Sequence, residues 1–87
     1  MTDATYHRRR FPEFLTADQA AEYLGIGRTT LYELHAMGRI PAPVSLSDSL
    51  TRWAKSDLRR WVDWGAPWRA DFESMRVTQA RRAGFSL

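Results

Sequence analysis

The chain contains no cysteine, so neither a disulfide framework nor a thiolate zinc site can staple its fold. That absence fits a reducing cytoplasm. Histidine is scarce: His7 and His35 have no cysteine partner and no HxxxH spacing, so no metal site is expected. No apolar run approaches the roughly 18 residues that a membrane span needs. Arg8-Arg9-Arg10 is not followed by an apolar stretch, so a signal peptide is not expected. There is no glycine-rich phosphate loop and no serine elbow, and the acidic residues are scattered singly. With only 87 residues, an enclosed pocket is hard to build. These absences point away from an enzyme, a cofactor carrier and a small-molecule receptor.

What is present is arginine. Twelve arginines stand against the single Lys55, within a net charge of +3. Arginine pairs bidentately with phosphates and base edges, which lysine cannot do. A charge this small also suits an ordinary surface, so the pattern along the chain has to decide. Four Trp, four Phe and three Tyr offer the large apolar areas that a small core needs.

Residues 1–13 read as a flexible basic N-terminal arm, without apolar periodicity and interrupted by Pro12. Thr16-Ala17-Asp18-Gln19 is a capping box, with Asp18 suited to the positive end of a helix dipole. Ala20, Tyr23 and Leu24 share one helical face, and Gly25 can end the helix in a left-handed conformation. After Gly25-Ile26-Gly27, residues Arg28 to Met37 contain no breaker. Leu31 and Leu34 can face the first helix with Ile26, leaving Arg28, Thr29, Tyr32, Glu33 and Ala36 largely on the other side. Two helices joined by a three-residue glycine turn make a helix-turn-helix.

The period then changes. Ile40-Pro41-Ala42-Pro43 cannot be helical. Val44-Ser45-Leu46 and Leu50-Thr51-Arg52-Trp53 alternate about a Ser47-Asp48-Ser49 turn, which predicts a small hairpin with Val44, Leu46, Leu50 and Trp53 available to pack. Ser56-Asp57 is expected to cap a third helix with Leu58, Trp61 and Val62 inward, ending near Gly65. Beyond Pro67, Trp68, Phe72 and Met75 predict a weakly amphipathic helix over about residues 68–80. Such a helix is marginal alone and must dock on its own domain or on a neighbour. The expected organisation is an arm over 1–13, a helix-turn-helix domain with its hairpin over 14–65 and a helical extension over 66–87.

This order resembles the winged helix-turn-helix of phage-type excisionases and of AlpA-like regulators, and more distantly the DNA-binding half of MerR-type activators. The residues that carry the resemblance run from Phe14-Leu15-Thr16 through Ala20-Ala21-Glu22-Tyr23-Leu24-Gly25-Ile26 and Arg28-Thr29-Thr30-Leu31-Tyr32. They continue with Gly38-Arg39-Ile40-Pro41, Pro43-Val44, Arg52-Trp53 and Ser56-Asp57-Leu58 followed by Trp61. The implied fold is mainly α with a small β-hairpin wing. The resemblance implies that the second helix enters the major groove and that the wing touches the backbone or minor groove. By position, Arg28, Thr29, Tyr32 and Glu33 are groove-facing, and Arg39 and Arg52 flank the wing. Gly27 stands where the family often has Ser, and Asp48 at the wing tip opposes phosphate.

Arg28-Thr29-Thr30 opens the second helix, where free amides and the dipole attract phosphate. Arg can read guanine there, and Thr a thymine methyl. Glu33 either accepts from cytosine N4 or pairs locally with arginine. Arg8, Arg9 and Arg10 are candidate backbone contacts from the arm or simply solvated charge, and Arg59-Arg60 is expected to face outward. With Lys55 added, the set predicts about four to seven phosphate contacts. Trp61, Trp64 and Trp68 fit core positions better than base-stacking platforms, and His35 is expected to edge the core.

The resemblance implies a sequence-specific binder of double-stranded DNA acting as an excisionase, a recombination directionality factor. Such a factor bends DNA, assembles cooperatively on it and promotes excision of a mobile element by a site-specific integrase. A small AlpA-like transcriptional regulator and a protein-interaction adaptor that has lost DNA binding are the alternatives. The expected setting is a bacterial or phage cytoplasm, associated with the nucleoid.

Overall fold

A computed structural model describes residues 11–82. In chain order the elements are β1 (Phe14–Leu15), α1 (Ala17–Leu24), α2 (Arg28–Ala36), β2 (Val44–Ser47), β3 (Leu50–Ala54), α3 (Lys55–Asp63) and α4 (Arg69–Arg82). The architecture is a winged helix-turn-helix: mostly helical, with a small antiparallel sheet.

α1 begins where the capping box places it. The Gln19 N–H donates to Thr16 Oγ1 at 3.2 Å, and the Thr16 N–H donates to Gln19 Oε1 at 3.0 Å. Gly25 ends it with φ +76°. From there the Gly25 and Ile26 amides donate back to Glu22 and Ala21, closing the free carbonyls of the last turn. The chain therefore reverses within Gly25-Ile26-Gly27 and starts α2 at once.

The hairpin has a third strand. β1 pairs with β3 through Phe14 opposite Ala54 and Leu15 opposite Trp53, giving the order β1-β3-β2. Two residues are too few for an alternating pattern, which is why the sequence predicts only two strands. β1 also corrects the expected start of the third helix. Ser56 does not cap α3; the cap position is Ala54, with no side-chain hydrogen bond. The Lys55 amide, an orphan donor of the first turn, instead reaches the Glu13 carbonyl at 2.8 Å.

The core gathers Leu15, Ala20, Ala21, Leu31, Ile40, Trp53, Leu58, Trp61 and Phe72. It takes residues from every element except β2, together with Ile40 of the link. Two further expectations change here. Leu46 and Leu50 lie exposed, on a hairpin whose register is irregular between Ser45 and Ser47, so the regular alternation that would bury them is broken. Val62 is 54% exposed and lines an open cleft with Tyr23, Leu24 and Arg59; Leu58 and Trp61 alone form the buried face of α3.

α4 docks on its own chain through Phe72, which is fully buried and packs on Trp64 with ring centroids 5.4 Å apart. Trp68 and Met75, expected to share that stripe, are exposed. Before α4, the Trp61 indole N–H donates to the Pro67 carbonyl at 2.8 Å. Ala66 sits at φ +54°, a left-handed conformation that costs a side chain on the order of 1 kcal/mol. It is held there by its N–H on the Trp61 carbonyl and by Arg39 on its own carbonyl. Asp57 adds a polar tie, lying 3.8 Å from Arg60 and 3.9 Å from Arg76 of α4.

Candidate nucleic-acid interface

A nine-residue helix has one side free only if its other side is committed. α2 commits Leu31, fully buried, with Leu34 and His35 partly buried behind it. The remaining face presents Arg28, Thr29, Thr30, Tyr32, Glu33 and Ala36, all exposed. Its entry is open as well. Gly27 occupies the cap position without a side-chain hydrogen bond, and no acidic residue lies in the first turn. The amides of the first turn thus point outward with the positive end of the helix dipole, a geometry suited to an anionic oxygen.

Arg28 leads this face. Its guanidinium lies 3.5 Å from Asp18 of α1 and 5.8 Å from the centroid of the Tyr32 ring. Both Arg28 and Asp18 are largely exposed, so a phosphate can compete with the pair, whose strength water and salt screen. Tyr32 is 44% exposed and meets Trp53 edge-on at 6.4 Å. One side of the ring therefore rests on the domain while the other stays accessible.

The other predicted positions divide. Arg52 lies half-buried on β3, paired across the wing with Val44, and its guanidinium hydrogen-bonds the Thr51 carbonyl beside it. That exposed, local bond can be exchanged for a ligand at little cost. Arg39 is committed to the chain: it donates to the Ala66 carbonyl at 3.0 Å and lies over the Trp68 ring at 4.4 Å. Lys55 is committed too, donating to the Phe11 carbonyl at 3.1 Å with Glu13 3.8 Å away. Asp48 sits exposed at the wing turn. Arg8, Arg9 and Arg10 lie outside the described residues. Arg59 and Arg60 of α3 are exposed, near Asp63 and Asp57 respectively.

Sequence reasoning missed Arg69. Its Nε donates to the Ile40 carbonyl at 2.8 Å, and one terminal nitrogen reaches the His35 carbonyl at 2.9 Å and His35 Nδ1 at 2.8 Å. Arginine is only a donor, so Nδ1 accepts and the ring proton belongs on Nε2. Burial, and then the Arg69 charge, hold the His35 pKa below its ordinary value of 6.5. Nothing in the sequence marks this contact, because two of its three acceptors are backbone carbonyls.

Among the described residues, no group of three or more His, Asp or Glu is placed to hold a metal ion. No described helix is long and apolar enough to cross a membrane. A family model described as a helix-turn-helix domain matches residues 14–63, which span β1 to the end of α3. No curated protein and no solved structure gave a match.

Proposed function

Since the chain belongs to the helix-turn-helix domain family, a membership that supports DNA binding, we propose that it reads duplex DNA by laying the open face of α2 in the major groove. The observation that carries this reading is the contiguous exposure of Arg28, Thr29, Thr30, Tyr32 and Glu33 beside an uncapped helix start. Arg28 reads guanine or grips phosphate, the threonines meet thymine methyls or phosphate, and Glu33 accepts from cytosine. Arg52 contacts the flanking backbone. The chain acts without catalysis, cofactor or small-molecule ligand, in the cytoplasm. Its role is that of an excisionase: several copies assemble side by side, bend the site and direct an integrase to excise a mobile element.

An AlpA-like regulator is the second reading, using the same contacts on a promoter. The adaptor reading gains from the acidic wing tip and from Arg39 and Lys55 being turned onto the chain itself.

Selection of bound duplexes from a random library, followed by anisotropy titration and a circular-permutation bending assay, tests all three. The selected site should be bound at least about 10³-fold more tightly than unrelated duplex. Arg28→Ala should weaken it by about 1–3 kcal/mol with the fold intact. Bending together with stimulated excision beside the partner integrase marks the excisionase; tight unbent binding at a promoter marks the regulator. Equal affinity for selected and unrelated duplex sinks sequence-specific recognition, and no binding at low salt leaves the adaptor.

A further inference from the structure

The C-terminal end of α2 is closed in part by its own chain, the Met37, Arg39 and Gly38 amides donating back to Glu33, Leu34 and His35, and Arg69 adds to this closure. The last carbonyls of a helix have no intrahelical donor, and they carry the negative end of its dipole. The link that follows, residues 40–43, contains Pro41 and Pro43, which have no N–H to give. Arg69 supplies donors to this region from the first turn of α4. Its backbone N–H reaches the Gly38 carbonyl at 2.9 Å, and its guanidinium reaches His35 and Ile40 as described above. One residue therefore fastens three successive stations: the last turn of α2, the glycine that closes it, and the start of the link to the wing. The planar fork of arginine suits this divergent set, whereas an ammonium cannot span it.

The clamp connects with the open face of α2. His35 and Tyr32, three residues apart on one side of the helix, both meet the Trp53 ring edge-on, at 5.8 and 6.4 Å. Arg28 lies one turn further along, over Tyr32. A packed row thus runs from Arg69 through His35, Trp53 and Tyr32 to Arg28, the length of the helix. Its anchor lies beyond the matched span 14–63, outside the part that the family model describes.

We infer that Arg69 is a positioning residue for the groove-entering helix, clamping the end of α2 to α4 so that the seating of α4 and sequence-specific DNA binding are coupled. This rests on the DNA-binding reading above. Arg69 touches no nucleic acid in this scheme, because its Nε and one terminal nitrogen are bonded inward. Its loss therefore acts on the aim of α2 and lowers discrimination between sites, while the number of phosphates held stays the same.

The test uses the full chain as wild type, Arg69→Ala and Arg69→Lys, each titrated with the selected duplex and with unrelated duplex over a range of salt. The temperature is one at which circular dichroism shows every protein folded. Arg69→Ala should reduce the ratio of specific to non-specific affinity about five- to tenfold, the scale on which packed networks couple distant sites. Arg69→Lys keeps the charge without the fork and should fall between. In both, the slope of log K against log salt should match wild type. If Arg69→Ala does not fold, Arg69→Lys decides by the same ratio. An unchanged ratio in folded variants overturns the inference and leaves the DNA reading standing. So does a slope that flattens by about 0.9 in Arg69→Ala and returns in Arg69→Lys, which marks a phosphate ligand. A wild-type ratio near one overturns the DNA reading, and this inference with it.

Discussion

Phe72→Ala is the most demanding perturbation of the fold, because it removes the one buried side chain that α4 contributes. Phe72 has no exposed surface and packs on Trp64 beside a core that numbers nine buried apolar residues among those described. Deleting a buried Phe ring costs about 3–5 kcal/mol, the higher values arising where the walls cannot collapse. Here collapse is restricted. The Trp61 indole is tied to Pro67 and Asp57 bridges α3 to α4, so the walls are held apart. A chain of 87 residues has a total stability of about 4–13 kcal/mol at 0.05–0.15 kcal/mol per residue. The substitution therefore consumes about a quarter of it or more. Urea denaturation followed by tryptophan fluorescence and by far-ultraviolet circular dichroism should show a midpoint lowered in proportion, with the two probes coincident. Val77→Ala, on the exposed side of α4, should shift stability by less than about 0.5 kcal/mol. A Phe72→Ala loss below about 1 kcal/mol would refute the packing of α4 on the core.

Gly27→Ser should stabilise the fold by a few tenths of a kcal/mol by giving α2 a capping hydroxyl. A Cβ there meets nothing within 4 Å and φ is −76°, so a lower melting temperature would contradict the open helix start. Binding to the selected duplex should show a salt slope of which Arg28 and Arg52 supply about −2, at 0.9 per phosphate. Arg39 and Lys55 are held by the chain, so a slope steeper than about −4 should require Arg8, Arg9 and Arg10 and vanish when residues 1–10 are deleted. His35 is held neutral in the fold, its pKa below the ordinary 6.5. Its contribution should thus be complete above that value and be lost as pH falls below it, where the unfolded chain takes up the proton first. His35→Gln should flatten that part of the stability profile measured by urea titration, and an unchanged profile would remove His35 as its source.

The helices were legible because their ends are written locally. Thr16 with Gln19, and Gly25, Gly38 and Gly65, each act within a few residues of their own position. The open face of α2 was legible for the same reason, since Leu31 and Leu34 fix which side turns inward. What escaped depends on partners far along the chain. β1 exists because Trp53 and Ala54 lie opposite it, and the start of α3 follows from that pairing rather than from Ser56. Arg39 and Lys55 read as free cations, yet their acceptors are the carbonyls of Ala66 and Phe11. A carbonyl has no letter of its own, so neither bond could be anticipated. Trp68 and Phe72 are both large and apolar, and only the path through Ala66 and Pro67 decides which of them faces the core.

The pairing of β1 with β3 also sets an order on the making of the molecule. Residues 14–15 wait for residues 53–54 before the sheet can close, and the apolar cluster stays open until Phe72 arrives. On a ribosome that delivers the chain from its N-terminus, the helix proposed to enter DNA emerges early but is seated late. Leu15 and Trp61 lie uncovered in the interval, an aggregation hazard while the chain is incomplete. A nascent chain halted between α3 and α4 would hold every residue of the proposed reading face and still lack its support, so premature products should be cleared by proteolysis instead of competing for DNA.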